Sequence, residues 1–284
     1  MENKLKLSTK IIFYVILILA AAVTLLPIFY TISGAFKTNS EILTRPESLL
    51  PLKPTLDNFK MAWNSNNFSI KLLTWNSTYY TLISVAITLL TASMGGYVFA
   101  RGYFYGQKSI FLIFTSLMFI SLGSITIYPT FEVLDFFGIS QSLWGLLITK
   151  LFGIGIVNIY LVRSYILTLP KSMDESAEID GCSFIGIFFK IIAPLLKPIL
   201  ATIGILAFQG SWNDYLMPTI FTMTRPEQRT LIVGVMALKN SEAAASSWNL
   251  MLAGATVSLI PVLIAYAFAN KYFVSGLASG AVKG

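Results

Sequence analysis

The stretch LPKSMDESAEIDGCSFIGIFFKIIAPLLKP, Leu169–Pro198, decides the fold. Ser172 followed three residues later by Glu175 is the pattern of a reciprocal helix cap, and Asp174 and Glu175 sit where the positive end of a helix dipole favours acids. With Pro170 just upstream, a short helix is predicted over about Met173–Asp180, ended by Gly181 in a left-handed conformation. A second short helix, Ser183–Ile192, then turns at Pro194 into the next segment. The product is a helix–Gly–helix elbow in which Asp174, Glu175, Glu178 and Asp180 crowd the first helix. A helix built to lie on lipid carries Lys or Arg on its polar face. An acidic one suits either a protein with a basic or polar cleft or a plain solvated connection, and charge alone leaves the two equal.

Around the elbow the chain is too apolar for water. Of its 284 residues 55% are hydrophobic and 12% charged, about half the charged share of soluble domains. A helix needs about 20 apolar residues to cross a hydrocarbon core. Charge-free runs of that length occupy Ile11–Phe36, Leu72–Ala100, Ser109–Phe131 and Ala243–Asn270. Two more carry one charge each: Phe136–Val162 holds Lys150, and Ile199–Thr224 holds Asp214. The expectation is an all-α integral membrane protein, one transmembrane domain over 1–284. Its six spans lie at about 11–36, 72–100, 109–131, 136–162, 195–224 and 243–270, with the elbow at about 169–194. No ten-residue alternating segments suggest a barrel. Lys4, Lys6, Lys10 and Ala20-Ala21-Ala22 resemble a signal peptide, but the apolar run continues through Phe36, so the segment reads as a span.

Orientation follows from where Lys and Arg collect. With the N-terminus inside, eleven basic residues fall in cytoplasmic segments and eight outside. The short loops are cleaner: Arg101 and Lys108 flank one turn without an acid, and Glu132 and Asp135 occupy the next without a base. Both termini and the elbow are therefore expected in the cytoplasm. Two outside segments are long: 37–71, where Asp57–Trp63 reads equally as a short surface helix or as part of a plain solvated connection, and 225–242, which reads as a polar loop able to reach a partner.

Several classes of chemistry are excluded by composition. There is no histidine, which removes histidine base catalysis and most zinc sites. The single cysteine, Cys182, makes no internal disulfide. The excess of 20 Lys and Arg over 13 Asp and Glu is explained by membrane lipid rather than by nucleic acid. No catalytic or metal-binding residue is expected.

The elbow residues resemble the EAA loop of the membrane permease subunits of bacterial ABC importers: Glu-Ala-Ala, three residues, Gly, nine residues, Ile, one residue, Leu-Pro. Glu175, Ser176 and Ala177 stand for the triplet, Gly181, Ile191 and Pro194 fall at the expected spacing, and Ser176 and Ala193 are mild departures. Gln209-Gly210-Ser211-Trp212-Asn213-Asp214-Tyr215-Leu216-Met217-Pro218 resembles the Trp-Asn-Asp segment of the carbohydrate-type, maltose-permease-like subgroup. The tail, Lys271–Leu277 and Ala281–Gly284, is similar too. The resemblance implies a second permease subunit, two cytoplasmic ATPase subunits docked on the elbow through Glu175, Ser176, Ala177, Asp180, Gly181, Ile191 and Pro194, and an extracytoplasmic sugar-binding protein. No G-x-x-x-x-G-K-[ST] phosphate loop occurs in the sequence, so the chain is expected to carry no cofactor and to be no enzyme, with ATP and Mg on the ATPase subunits.

The competing reading is an ion-coupled secondary transporter or channel, for which several intramembrane ionisable residues in matching halves are expected. Only Lys150 and Asp214 qualify here. A membrane-embedded enzyme has no constellation to support it. For substrate, Gln209, Trp212, Asn213 and Leu216 repeat at helical spacing beside Asp214, offering amide, indole and apolar groups suited to a sugar or, equally, to helix–helix contact. Asp214 is expected near the outer end of the fifth span, its carbonyl freed by Pro218.

Overall fold

In hydrocarbon a backbone satisfies its polar groups only as helix or closed barrel, and this chain takes the first course. The computed structural model describes residues 7–63, 65, 68–120, 123–153, 155–239 and 248–281, and among these every regular element is helical. In chain order they are α1 (Leu7–Gly34), α2 (Asn39–Thr44), α3 (Asp57–Trp63), α4 (Ile70–Arg101) and α5 (Gln107–Leu117). Then come α6 (Ile127–Phe136), α7 (Leu143–Phe152), α8 (Ile156–Ile166), α9 (Ser172–Ile179) and α10 (Phe184–Ile187). The series closes with α11 (Ala193–Leu195), α12 (Lys197–Trp212), α13 (Leu216–Phe221), α14 (Leu231–Lys239) and α15 (Trp248–Ala281).

Three of these, α1, α4 and α15, are long and apolar enough to cross a membrane alone. The other apolar runs are broken, unlike the continuous spans read from sequence. Run 109–131 is divided into α5, which ends at Leu117, and α6, which starts at Ile127, with Gly123 at φ +50° between them. The turn expected around Glu132 and Asp135 lies instead at 137–142, where Gly138 (φ +69°) stops α6 and the Ser142 hydroxyl caps α7 by accepting from the Trp144 N–H at 3.0 Å. Run 136–162 is the pair α7 and α8, bent by 43°. Run 195–224 is α12 and α13, separated by Asn213, Asp214 and Tyr215. Of 243–270, residues 243–247 lie outside the described residues, and α15 runs on to Ala281.

Where the sequence reads as one domain, the packing forms two compact units: Met1–Leu72 with Gly234–Ile260, and Leu73–Val233 with Pro261–Gly284. In the first, α1 is apolar on every side and exposed from Thr9 to Phe29, the signature of a lipid-facing span, and becomes buried at Ser33 and Gly34. Of the segment 37–71, the described residues up to Trp63 are folded rather than a plain connection. Asn58, on the short helix α3, donates to the Ala35 and Lys37 carbonyls at 2.7 Å each and accepts from the Asn249 amide at 2.8 Å. Lys37, 1% exposed, is spent on the Ser48 carbonyl and hydroxyl.

In the second unit α4 and α8 lie close together. A Cβ at Gly96 would meet the Val162 side chain at 2.5 Å, so only glycine permits this approach. Tyr97, Val162, Ile166, Ala177, Ile187 and Leu196 form one buried cluster, so the elbow shares a core with α4, α8 and α12. Segment 225–242, expected as a polar loop, contains α14, with Leu231 and Val233 buried and the Leu231 N–H bonded to the Ser77 hydroxyl at 2.7 Å. Its run LIVGVMAL is apolar but far too short for a span, which hid it from a reading built on span length.

Candidate functional site

The elbow begins one residue earlier than the cap pattern implies. Pro170 fixes a helical φ ahead of it, Lys171 is already helical (φ −66°, ψ −25°), and Ser172 becomes the first helical residue without capping anything. Its carbonyl instead accepts from the Ser176 hydroxyl at 2.8 Å. Asp174 and Glu175 remain in the first turn, where the dipole favours them. The far end closes as a Schellman motif: the Cys182 N–H reaches the Ala177 carbonyl at 2.9 Å and the Gly181 N–H reaches Glu178 at 3.0 Å, with Gly181 at φ +79°. A Cβ on Gly181 would touch nothing within 4 Å, so the demand for glycine is one of backbone conformation, not of space.

The second arm starts with the Ser183 hydroxyl accepting from the Gly186 N–H at 3.2 Å. It continues through α10, a π-helical turn at Phe188–Ile192 and α11, then bends by 76° into α12. Pro194 and Pro198 sit in the first turns of α11 and α12, where a missing N–H costs nothing.

The elbow's side chains divide by face. Glu175, Ser176, Glu178, Asp180 and Gly181 are exposed, and Ile179 at the tip is 87% exposed. Ala177 is buried, Ile191 half-buried and Pro194 exposed. Asp174 turns inward: its Oδ2 accepts from Arg101 Nε at 2.5 Å, and the same guanidinium donates to the Leu169 carbonyl at 2.9 Å.

The residues expected along a substrate path do not share one helical face. Gln209 and Trp212 close α12, Asn213 caps it, and Asp214 stands in the break before α13. Gln209 and Asn213 are exposed, but Trp212 is 5% exposed and stacked on Phe208 at 5.9 Å between ring centroids. Pro218 frees no helical bond of Asp214, because α12 has already ended and Pro218 lies in the first turn of a new helix.

Asp214 is half-buried and accepts from the Tyr80 hydroxyl at 3.1 Å. The Lys150 ammonium lies 4.8 Å from the centroid of the same ring and donates to the Ser211 hydroxyl at 3.0 Å. The two intramembrane charges thus share one fully buried tyrosine. Tyr80 and Ser211 were not anticipated, since no local pattern links residues so far apart in sequence. Lys150 also borders a cleft of about 380 Å³ with Thr88, Thr91, Thr149 and Asn158, a lining of hydroxyl, amide and ammonium groups.

A helical membrane subunit with broken spans and an elbow before the fifth apolar run is the class that these features define. The chain belongs to the family of binding-protein-dependent transport system inner membrane components, whose profile matches residues 104–278. The galactooligosaccharides transport system permease protein GanQ of Bacillus subtilis is 32% identical to it, over 100% of this chain and 99% of that protein. The arabinooligosaccharides transport system permease protein AraQ of the same organism is 33% identical, over 92% and 91%. A solved bacterial ABC transporter involved in the import of the acidic polysaccharide alginate contains a chain of the same fold. Its TM-score is 0.82 at 25% identity, covering 96% of this chain and 99% of that one. The protein is therefore a membrane permease of a binding-protein-dependent ABC importer, and the secondary-transporter reading falls. As a family, such permeases work with ATPase, partner-permease and binding-protein components.

Proposed function

We propose that this permease, with a second and related permease subunit, forms the path by which a sugar or oligosaccharide enters a bacterium. Two cytoplasmic ATPase subunits, carrying ATP and Mg, dock on its elbow, and an extracytoplasmic binding protein delivers the sugar. The oligosaccharide transport named for GanQ and AraQ supports the substrate class. The absence of a phosphate loop from all 284 residues supports placing hydrolysis on other chains. Arg101 and Lys108 beside the turn between α4 and α5, with Glu132 and Asp135 in the last turns of α6 ahead of the next, support cytoplasmic termini in a multi-pass cell-membrane protein.

The observation that carries the reading is the division of the elbow: its inner face is packed into a core with three other helices, while Ile179 stands exposed among Glu175, Glu178 and Asp180. An apolar tip in an acidic collar is suited to a basic-rimmed protein cleft and unsuited to a negative membrane surface. In this reading Glu175, Ser176, Asp180 and Gly181 face the ATPase, Ala177 is small because it packs inward, and Ile191 and Pro194 set the angle of the second arm. Gln209, Asn213 and Asp214 face the sugar path, with Trp212 supporting them from the core.

The test is Gly181→Val. A β-branched residue at φ +79° redirects the second arm, while the apolar runs are untouched. Expected is normal membrane insertion with weakened copurification of the ATPase subunits or hydrolysis unresponsive to sugar-loaded binding protein. Wild-type uptake with stimulated hydrolysis intact contradicts the reading.

A further inference from the structure

Tyr97 and Arg101 lie one turn apart on the last stretch of α4, on one face of that helix. Arg101 holds the first arm of the elbow. Its Nε donates to Asp174 on α9, and a terminal nitrogen donates to the Leu169 carbonyl at the elbow's start. Tyr97 holds the second arm. Its hydroxyl donates to the Phe184 carbonyl at 3.0 Å, and its ring stacks on Phe184 at 4.4 Å between centroids and meets Phe188 at a tilt at 5.2 Å. Gly181, the hinge, lies between the two gripped points in sequence. One helical face of one span therefore clasps both arms.

The clasp is dry. The side chains of Arg101 and Asp174 are 7% and 12% exposed, and Tyr97 is 3% exposed. The other Asp174 oxygen, Oδ1, has no hydrogen-bond partner among the described residues, so Arg101 is the partner on which this buried carboxylate depends. A buried ion pair that loses one member leaves an uncompensated charge, so the pair resists being pulled apart and transmits displacement instead. Glu175, Glu178 and Asp180, one residue to six further along the same elbow, are exposed; Glu175 and Glu178 border the same cleft, but among the described residues the ion pair with Arg101 is made by Asp174.

We propose that Arg101 and Tyr97 are positioning residues that make the elbow a rigid extension of the second span. Movement imposed on the elbow then enters the transmembrane helices through α4, and not only through the covalent connections to α8 and α12. This rests on the elbow being the ATPase-docking element.

The experiment uses the whole importer in proteoliposomes and reads two quantities: copurification of the ATPase subunits, and stimulation of ATP hydrolysis by binding protein purified with its sugar. Arg101→Ala, Asp174→Ala, the double variant, the exchange Arg101→Asp with Asp174→Arg, and Tyr97→Phe are compared. Expected is retained copurification with stimulation reduced by about 5- to 150-fold in Arg101→Ala, the range of ordinary coupling free energies. Asp174→Ala falls similarly, the double variant is no worse than either single one, and the exchange restores at least part of the stimulation. Tyr97→Phe keeps the ring contacts and loses one hydrogen bond, which lowers stimulation about threefold.

Full stimulation in Arg101→Ala overturns the proposal. So does a loss of stimulation that merely follows loss of assembly and is not relieved by the exchange, which makes the pair a plain stabiliser. Gly181→Val, measured alongside, separates the two levels. A defect there beside an unaffected Arg101→Ala removes the clasp alone, whereas an unaffected Gly181→Val removes the elbow's role and the clasp with it.

Discussion

The Tyr80 hydroxyl donates to the Asp214 carboxylate at 3.1 Å, joining residues 134 positions apart, and the same ring carries the Lys150 ammonium over its face. A carboxylate and an ammonium near a helix centre each cost about 2.5–3.5 kcal/mol on insertion scales. Their meeting around one tyrosine explains how both are tolerated. It also explains why the fifth apolar run breaks there: Asp214 sits outside both α12 and α13, where its carboxylate reaches across to α4.

Asp214 is expected to matter for transport more than for assembly. Asp214→Ala should reduce uptake of the sugar carried by the binding protein while ATPase and partner-permease subunits still copurify. Tyr80→Phe, which keeps the ring under Lys150 and removes only the donor, should fall between Asp214→Ala and wild type, at a cost of about 1–2 kcal/mol. Equal loss of uptake and assembly in Asp214→Ala means that the residue is an interface group only.

Asn58 is expected to set the stability of the first compact unit. Its amide satisfies the Ala35 and Lys37 carbonyls and the Asn249 amide together. Asn58→Leu leaves those buried groups unpaired, at about 1–3 kcal/mol for a lost partner. Asn58→Asp is worse, because it sets an acceptor against two carbonyls. Thermal unfolding of the detergent-solubilised protein should rank wild type above Leu and Leu above Asp, and a reversed order of the two variants contradicts the hydrogen-bond assignment.

Gly181 is expected to grade by backbone tolerance and not by size. No neighbour lies within 4 Å of its Cβ position, and φ is +79°. Asn, which visits the left-handed region readily, should outperform Ala despite its bulk, and Ala should outperform Val. The roughly 1–2 kcal/mol strain in Ala should appear as partial loss of binding-protein-stimulated hydrolysis. An order that follows side-chain volume points to a packed neighbour from another subunit.

Topology is expected to follow the short-loop charges. In a background lacking Cys182, Glu47→Cys should react with a membrane-impermeant thiol reagent in intact cells. Tyr105→Cys, at a site 103% exposed, and Ser176→Cys should react only after permeabilisation. Labelling at 176 in intact cells reverses the orientation.

What could be read in the sequence was local. The Gly181 stop, the α3 helix over Asp57–Trp63 and the long runs of α1 and α4 each follow from residues within a turn or two of one another. Local signals mislead where two compete. Pro170 starts α9 ahead of the Ser172 cap, and hydrophobic length does not keep runs 109–131 and 136–162 continuous: α5 ends at Leu117 before the glycine turn at Gly123, and the second run starts in the Gly138 turn and breaks again between Phe152 and Ile156. The contacts that make a site out of scattered residues leave no local trace. Arg101 with Asp174, Tyr97 with Phe184, and Tyr80 between Lys150 and Asp214 join segments 70 or more positions apart, across helices whose mutual packing depends on glycines such as Gly96.

If the elbow docks on the ATPase as proposed, Ile179, 87% exposed at the tip among acidic neighbours, lies at the contact. A photoreactive amino acid placed at 179 in the assembled importer, with one at 47 as control, should on illumination yield an adduct to an ATPase subunit from 179 alone. Adducts from 179 to lipid but none to the ATPase, with transport intact, contradict docking on the elbow.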